Sequence, residues 1–191
     1  MKADRILPTV ILALALFLHG CGTPPLDQET AALAEGSDAV CLAEIWGYDP
    51  EKADDGTIVL KCKLTLDYLG SLTDRGTALG PGEERGIFLL VEDSWFQEEA
   101  KARLTTVEPS RLLLFLRATE ERREAFDREL GKVECVVFVP NGEAGLRWEP
   151  TDAEGLRYGQ ALREYGKTHP REPLGDGISW GWEISKFKFD Y

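Results

Sequence analysis

Thiols, imidazoles and carboxylates are the side chains of this 191-residue chain that could do chemistry, and their spacing narrows what that chemistry could be. The histidines are His19 and His169; with His19 in an apolar leader, Ser-His-Asp or Cys-His catalysis would rest on His169 alone. His169 stands directly before Pro170 in a turn-rich stretch and reads as a surface loop residue. Cys41, Cys62, Cys135 and His169 have none of the close ligand spacing of structural zinc sites. The pairs Glu83-Glu84, Glu98-Glu99 and Glu120-Glu121 read as solvated surface, and Asp54-Asp55-Gly56 lacks the alternating oxygen ligands of a calcium loop. Gly80-Pro81-Gly82 with Gly86 has neither dinucleotide spacing nor the Lys-Ser/Thr of a phosphate loop, and reads as a turn. The residues thus point to no catalytic set, no metal ligands and no cofactor.

The fourth cysteine has a different context. Lys2 and Arg5 precede an apolar run from Ile6 to Leu18, about 13 residues long and shorter than the roughly 20 that a spanning helix needs. The run ends in Leu18-His19-Gly20-Cys21, which resembles the lipobox of bacterial lipoproteins, with His19 an unusual occupant. The resemblance implies cleavage before Cys21, acylation of its sulfur and new amino terminus, and attachment to the cell envelope by several fatty chains on one residue. Gly22 follows the cysteine in place of the aspartate that retains many lipoproteins at the inner membrane, which favours the outer membrane facing the periplasm.

Removing residues 1–20 takes Lys2, Arg5 and Asp4, leaving 20 of 22 basic and 33 of 34 acidic side chains and a net charge of −13. Such a surface repels phosphate backbones and anionic headgroups, so no nucleic-acid partner is expected and the lipid must supply membrane attachment. Basic partners and cations remain open. About 170 residues with 43% hydrophobic content can bury one core, so a single domain over 37–191 is expected behind a lipidated tether over 21–36.

Period-two alternation of Ile58, Leu60, Cys62, Leu64 and Leu66 against Lys61, Lys63, Thr65 and Asp67 predicts a half-buried strand over 57–69, paired as an antiparallel hairpin with the run 38–46. Strands follow at 87–91, 111–117 and 133–139, with 146–149 pairing back across Pro140-Asn141-Gly142. Helices are expected at 94–104, at 120–130 behind a Thr119 cap, and from Asp152 to about Lys167, the last burying Leu156, Ala161, Leu162 and Tyr165. The terminal segment 178–191 reads as a last strand. The expected class is α+β: a small antiparallel OB-like β-barrel with two or three helices.

Asp38-Ala39-Val40-Cys41-Leu42-Ala43-Glu44-Ile45, the strand 58–69 ending at Leu69-Gly70, and Leu112-Leu113-Leu114-Phe115-Leu116-Arg117 together resemble exported domains related to tissue-inhibitor-of-metalloproteinases and netrin modules. The resemblance spans roughly 38–139 and implies an OB-like barrel rather than an activity. The animal inhibitors act through a free amino-terminal cysteine, and acylation of Cys21 would remove that amine, so no inhibitory residue carries over.

Two structural expectations concern sites. A hairpin loop centred near 51–52 sets Cys41 opposite Cys62, which gives either a cross-hairpin disulfide or a buried reduced pair. In the tail, Trp180, Trp182 and Ile184 share one strand parity and Phe187, Phe189 and Tyr191 the other, so a bend near Ser185-Lys186 would unite them, as core or as an exposed aromatic platform for glycan or protein. The functional expectation is a lipid-anchored envelope module that binds protein without catalysis; a carboxylate- or metal-dependent hydrolase and a structural spacer are the alternatives.

Overall fold

The computed structural model describes residues 25–49, 55–70, 85–104, 111–127, 131–150, 153–171 and 182–183. Alternating apolar residues build its centre. Cys41, Ala43 and Ile45 of β1 (Ala39–Tyr48) share one apolar cluster with Ile58, Leu60, Cys62 and Leu64 of β2 (Thr57–Leu69). Strand β3 (Arg85–Glu92) adds Ile87, Leu89 and Val91, β4 (Arg111–Asp127) adds Leu112, Leu114 and Leu116, and β5 (Gly131–Pro140) adds Phe138. The strands pair in the order β1-β2-β3-β5-β4, and β4 pairs again with β1, so five strands close a ring of hydrogen-bonded neighbours. Each pairing in the ring is antiparallel except β3 with β5, which is parallel. With its helices the fold is α+β.

Between β3 and β4 runs helix α2, from a first turn Asp93–Trp95 through a π-helical turn Phe96–Ala100 to a last turn Lys101–Leu104. Phe96 and Ala100 are fully buried in the interior cluster, where the sequence places a helix at 94–104.

The opposite parity of β1 and β4 carries Val40, Leu42, Leu113 and Phe115, and two helices bury it: α1 (Gln28–Glu35) through Ala34, and α3 (Ala153–Thr168) through Leu162. Thr30 Oγ1 and Tyr158 Oη, 2.9 Å apart, join the two helices. Asp27 caps α1 by accepting from the Thr30 amide at 2.8 Å, and these bonds hold the Asp27 carboxyl below its usual range. The stretch read as tether therefore contains a helix packed on the domain. Ala161 and Leu162 of α3 are buried as expected, but Leu156 is 74% exposed. The close face of α3 is made of glycine: a Cβ on Gly166 would lie 2.0 Å from the Tyr68 carbonyl oxygen.

Three further expectations are corrected. Residues 120–127 are strand rather than helix, and 128–130 lie outside the described residues; β4 continues to Asp127 and forms a ribbon with β5. Ladder formation overrides the helix propensity of this charged segment, and Thr119 makes the transition: its hydroxyl donates to the Val137 carbonyl at 2.7 Å and accepts from the Glu121 amide at 3.1 Å, in the register shift between Ala118 and Arg122. Strand β6 (Leu146–Trp148) does not pair back on β5 but pairs with β4, as Leu112 opposite Trp148 and Leu114 opposite Leu146. Pro140 already stands opposite Leu116, so the chain jogs and continues along β4 in the same direction. Gly142, at φ +70°, makes the jog, and Gly145 passes so close that a Cβ would sit 2.8 Å from the Phe115 carbonyl. Finally, Leu66 leaves the face of Ile58 to Leu64 and packs in the outer cluster, because a bulge between Leu42 and Ala43 adds a residue to β2. Thr65 of that bulge donates its hydroxyl to the Leu42 carbonyl at 3.0 Å.

Candidate functional site

Helix α2 and the β5–β6 jog enclose an open groove of about 610 Å³. Its floor and walls bring together Glu92 at the end of β3, Glu98 and Glu99 on α2, and Glu143 in the jog, with Trp95 and Leu146 as apolar lining. The four glutamates are exposed. No Lys or Arg is among the described residues that line the groove.

Packing fixes the apolar wall. Trp95 stacks on Trp148 of β6 with ring centroids 6.1 Å apart and planes 20° from parallel, and the Arg103 guanidinium lies over the far ring, 4.2 Å from its centroid. Arg111 pairs with Glu149 at 2.9 Å beside it. At the other end of the jog Asn141 donates its amide to the Phe115 carbonyl at 2.8 Å, and its side chain donates to the Leu33 carbonyl at 3.2 Å and to Ser37 Oγ at 3.0 Å. The jog is thus tied to both β4 and α1. A rigid aromatic wall next to clustered carboxylates is suited to a cationic side chain, which gains charge attraction and ring contact together. The sequence read Glu98-Glu99 as solvated surface; what it could not show is that folding sets them beside Glu92 and Glu143.

Among the described residues no group of three or more His, Cys, Asp or Glu side chains is disposed to hold a metal ion. His169 follows α3, exposed, stacked on Tyr165 with centroids 4.0 Å apart and with Nδ1 2.9 Å from Thr168 Oγ1. Asp55, just before β2, accepts from the Thr57 hydroxyl at 2.5 Å and from Arg123 at 2.6 Å, and these partners lower its carboxyl to about 2.

The cysteine pairing is corrected. Three register shifts in the β1–β2 ladder set Cys41 opposite Asp67 and Cys62 opposite Ile45, and both thiols are free and buried. A one-residue bulge displaces every later pair, which is why loop-centre counting misplaces the partners. Burial pushes the Cys62 thiol up to about 12; it raises Cys41 as well, assisted by the nearby Asp67 charge. A maleimide reagent is expected to leave both unmodified in the folded protein and to label both in urea. Peptide mapping that finds Cys41 or Cys62 modified at the native rate of an exposed thiol would contradict their burial.

Cys21, Trp180, Phe187, Phe189 and Tyr191 lie outside the described residues, as do the side chains of Cys135 and Trp182. No helix among the described residues is long and apolar enough to cross a membrane. Comparison with protein-family models, with curated proteins and with solved structures finds no match.

Proposed function

We propose that this protein is an envelope lipoprotein, held by acyl chains on Cys21, whose OB-like domain works by binding a basic segment of a protein partner in the acidic groove. The OB-like reading is supported by the ring order β1-β2-β3-β5-β4, the parallel β3–β5 pair and the helix between β3 and β4. It also agrees with the resemblance to netrin-like modules. The observation that carries the binding role is the groove itself: four carboxylates and a stacked tryptophan wall, on a chain of net charge −12. An anionic surface of this kind speeds encounter with cationic partners and repels nucleic acid, although other OB-like domains bind oligonucleotides. Protein partners offer Lys and Arg next to apolar residues, which fits the mixed lining better than a bare cation.

A titration with a Lys- and Arg-rich peptide, followed by tryptophan fluorescence, tests the site. Neutralising the groove (Glu98→Gln, Glu99→Gln and Glu143→Gln) is expected to weaken binding roughly tenfold or more at physiological salt. The same charge change elsewhere (Glu35→Gln, Glu120→Gln and Glu164→Gln) is expected to have a much smaller effect. Equal losses from both triples would show only general charge attraction and would remove the groove from the proposal. The anchor is tested separately: protein from native envelopes should begin at Cys21 with acyl mass, and Cys21→Ser should move it to the soluble fraction. An intact precursor starting at Met1 without acyl mass would end that part of the reading.

A further inference from the structure

Two strand ends reach the groove with main-chain groups that the ring of strands does not use. Among the described residues β3 pairs with β5 at Phe88 opposite Val137 and Leu89 opposite Phe138, and no further. The Asp93 amide donates to the Gly56 carbonyl at 3.0 Å. Alternation back along β3 therefore turns the main-chain groups of Val91 and Leu89 towards β2, and those of Leu90 and Glu92 towards β5. The next ladder bond on that side would run from the amide of residue 140 to the Leu90 carbonyl. Residue 140 is proline and has no N–H, so the parallel pair stops and the chain leaves in the jog. The Pro140 carbonyl, which would serve the Glu92 amide, accepts from the Gly142 amide at 2.9 Å instead.

Strand β6 shows the same pattern on the facing wall. The Glu149 amide donates to the Arg111 carbonyl at 2.8 Å, so Arg147 and Glu149 turn their main-chain groups to β4, while Leu146 and Trp148 turn theirs away. Among the described residues β4 is the only strand beside β6, and neither the Leu146 carbonyl nor the Trp148 amide has a main-chain partner. Each wall thus presents a carbonyl and, two residues on, an amide: Leu90 and Glu92 on one side, Leu146 and Trp148 on the other. One rung of a β ladder uses groups at this spacing, and an unpaired strand edge is a template for a further strand.

We infer that the basic partner segment lies between these edges in extended form, as an added strand whose main chain bonds to both, an inference that rests on the groove being the binding site. The linings define its side chains. Successive residues of an extended chain point to opposite sides, and the groove offers the carboxylates of Glu92, Glu98, Glu99 and Glu143 together with the apolar surface of Trp95 and Leu146. The matching occupant alternates Lys or Arg with apolar residues. A basic amphipathic helix satisfies its own main chain and would leave the Leu90 and Leu146 carbonyls and the Glu92 and Trp148 amides without partners. In an added strand the main-chain bonds supply affinity, and the alternating side chains supply selection.

Backbone-altered peptides test it on the wild-type protein. The capped peptide Lys-Val-Arg-Val-Lys-Val is compared with two versions N-methylated at its odd or its even positions, which removes the amide donors of one edge at a time and keeps every charge. Each methylated version is expected to bind roughly tenfold more weakly. Saturation with the parent peptide should also slow amide exchange at Glu92 and Trp148 roughly tenfold beyond any change at Leu60 in β2. Full affinity in either methylated version, or no such slowing at either amide, would overturn the added strand and leave the groove reading standing. Parent peptide bound as tightly by the Glu98→Gln, Glu99→Gln and Glu143→Gln triple as by the wild type would end the groove reading, and the added strand with it.

Discussion

Gly166→Ala is expected to lower stability by about 2–3 kcal/mol, although alanine is the better helix former by about 1 kcal/mol. The reason is distance: the added methyl would lie 2.0 Å from the Tyr68 carbonyl oxygen and 3.2 Å from its carbon. That neighbour is backbone in a paired strand and cannot rotate away, so α3 must lift from β2 and uncover Leu162 and the partly buried Tyr165. Gly159→Ala gives the internal comparison. Its methyl would meet the Tyr68 side chain alone, closest at the hydroxyl, 3.0 Å away, and the ring can give by a few tenths of an ångström. Helix propensity should then nearly offset the contact, leaving a change within about 1 kcal/mol. Urea unfolding of the two variants checks this: equal midpoints would mean that α3 does not sit against Tyr68 as described.

Phe115→Ala carries the other large effect, a loss of about 3–5 kcal/mol. Phe115 is fully buried between β4 and the two outer helices, with Ala34 and Leu162 in its cluster and the Arg147 guanidinium 5.7 Å from its ring centroid. Truncation leaves a cavity that packed helices fill only partly. Its carbonyl still accepts from Asn141, so the jog beside the groove should hold its shape and peptide binding should survive where the protein is folded. A loss below about 1 kcal/mol in urea unfolding would show that the α1–α3 layer contributes little.

The parts of the fold legible in the sequence are those where burial on one side imposes a period. The alternation of Ile58, Leu60, Cys62 and Leu64 marks the inner face correctly, although Val59 and Lys61 on the other face are buried as well rather than open to solvent, and the near-continuous Leu112 to Leu116 reads as a strand buried on both sides, which it is. The failures have local causes that side-chain type does not reveal. Thr65 and Thr119 each stabilise a register shift by offering a hydroxyl to a carbonyl, and nothing in a threonine distinguishes this use from an ordinary strand position. Residues 120–127 carry the composition of a surface helix, yet their partner lies across a ribbon, and the ladder decides. Asp27, three residues ahead of Thr30, is a usable cap signal for α1, but Pro24 and Pro25 and the lack of a sustained apolar period give the stretch the composition of a tether. The groove was least legible of all, because its glutamates come from a strand end, a helix and a jog whose meeting depends on the ring of strands.

Binding at the groove is decided by a comparison made in native envelopes. Cross-linked pull-down with the wild-type protein, the groove triple and the control triple, all three matched for melting temperature, is expected to recover one stoichiometric protein partner. The wild type and the control should hold it through a Lys- or Arg-rich segment crosslinked near Trp95, and the groove triple should lose it. The same partner recovered equally by all three, or crosslinked away from α2 and the β5–β6 jog, would mean that the groove is not where the partner binds.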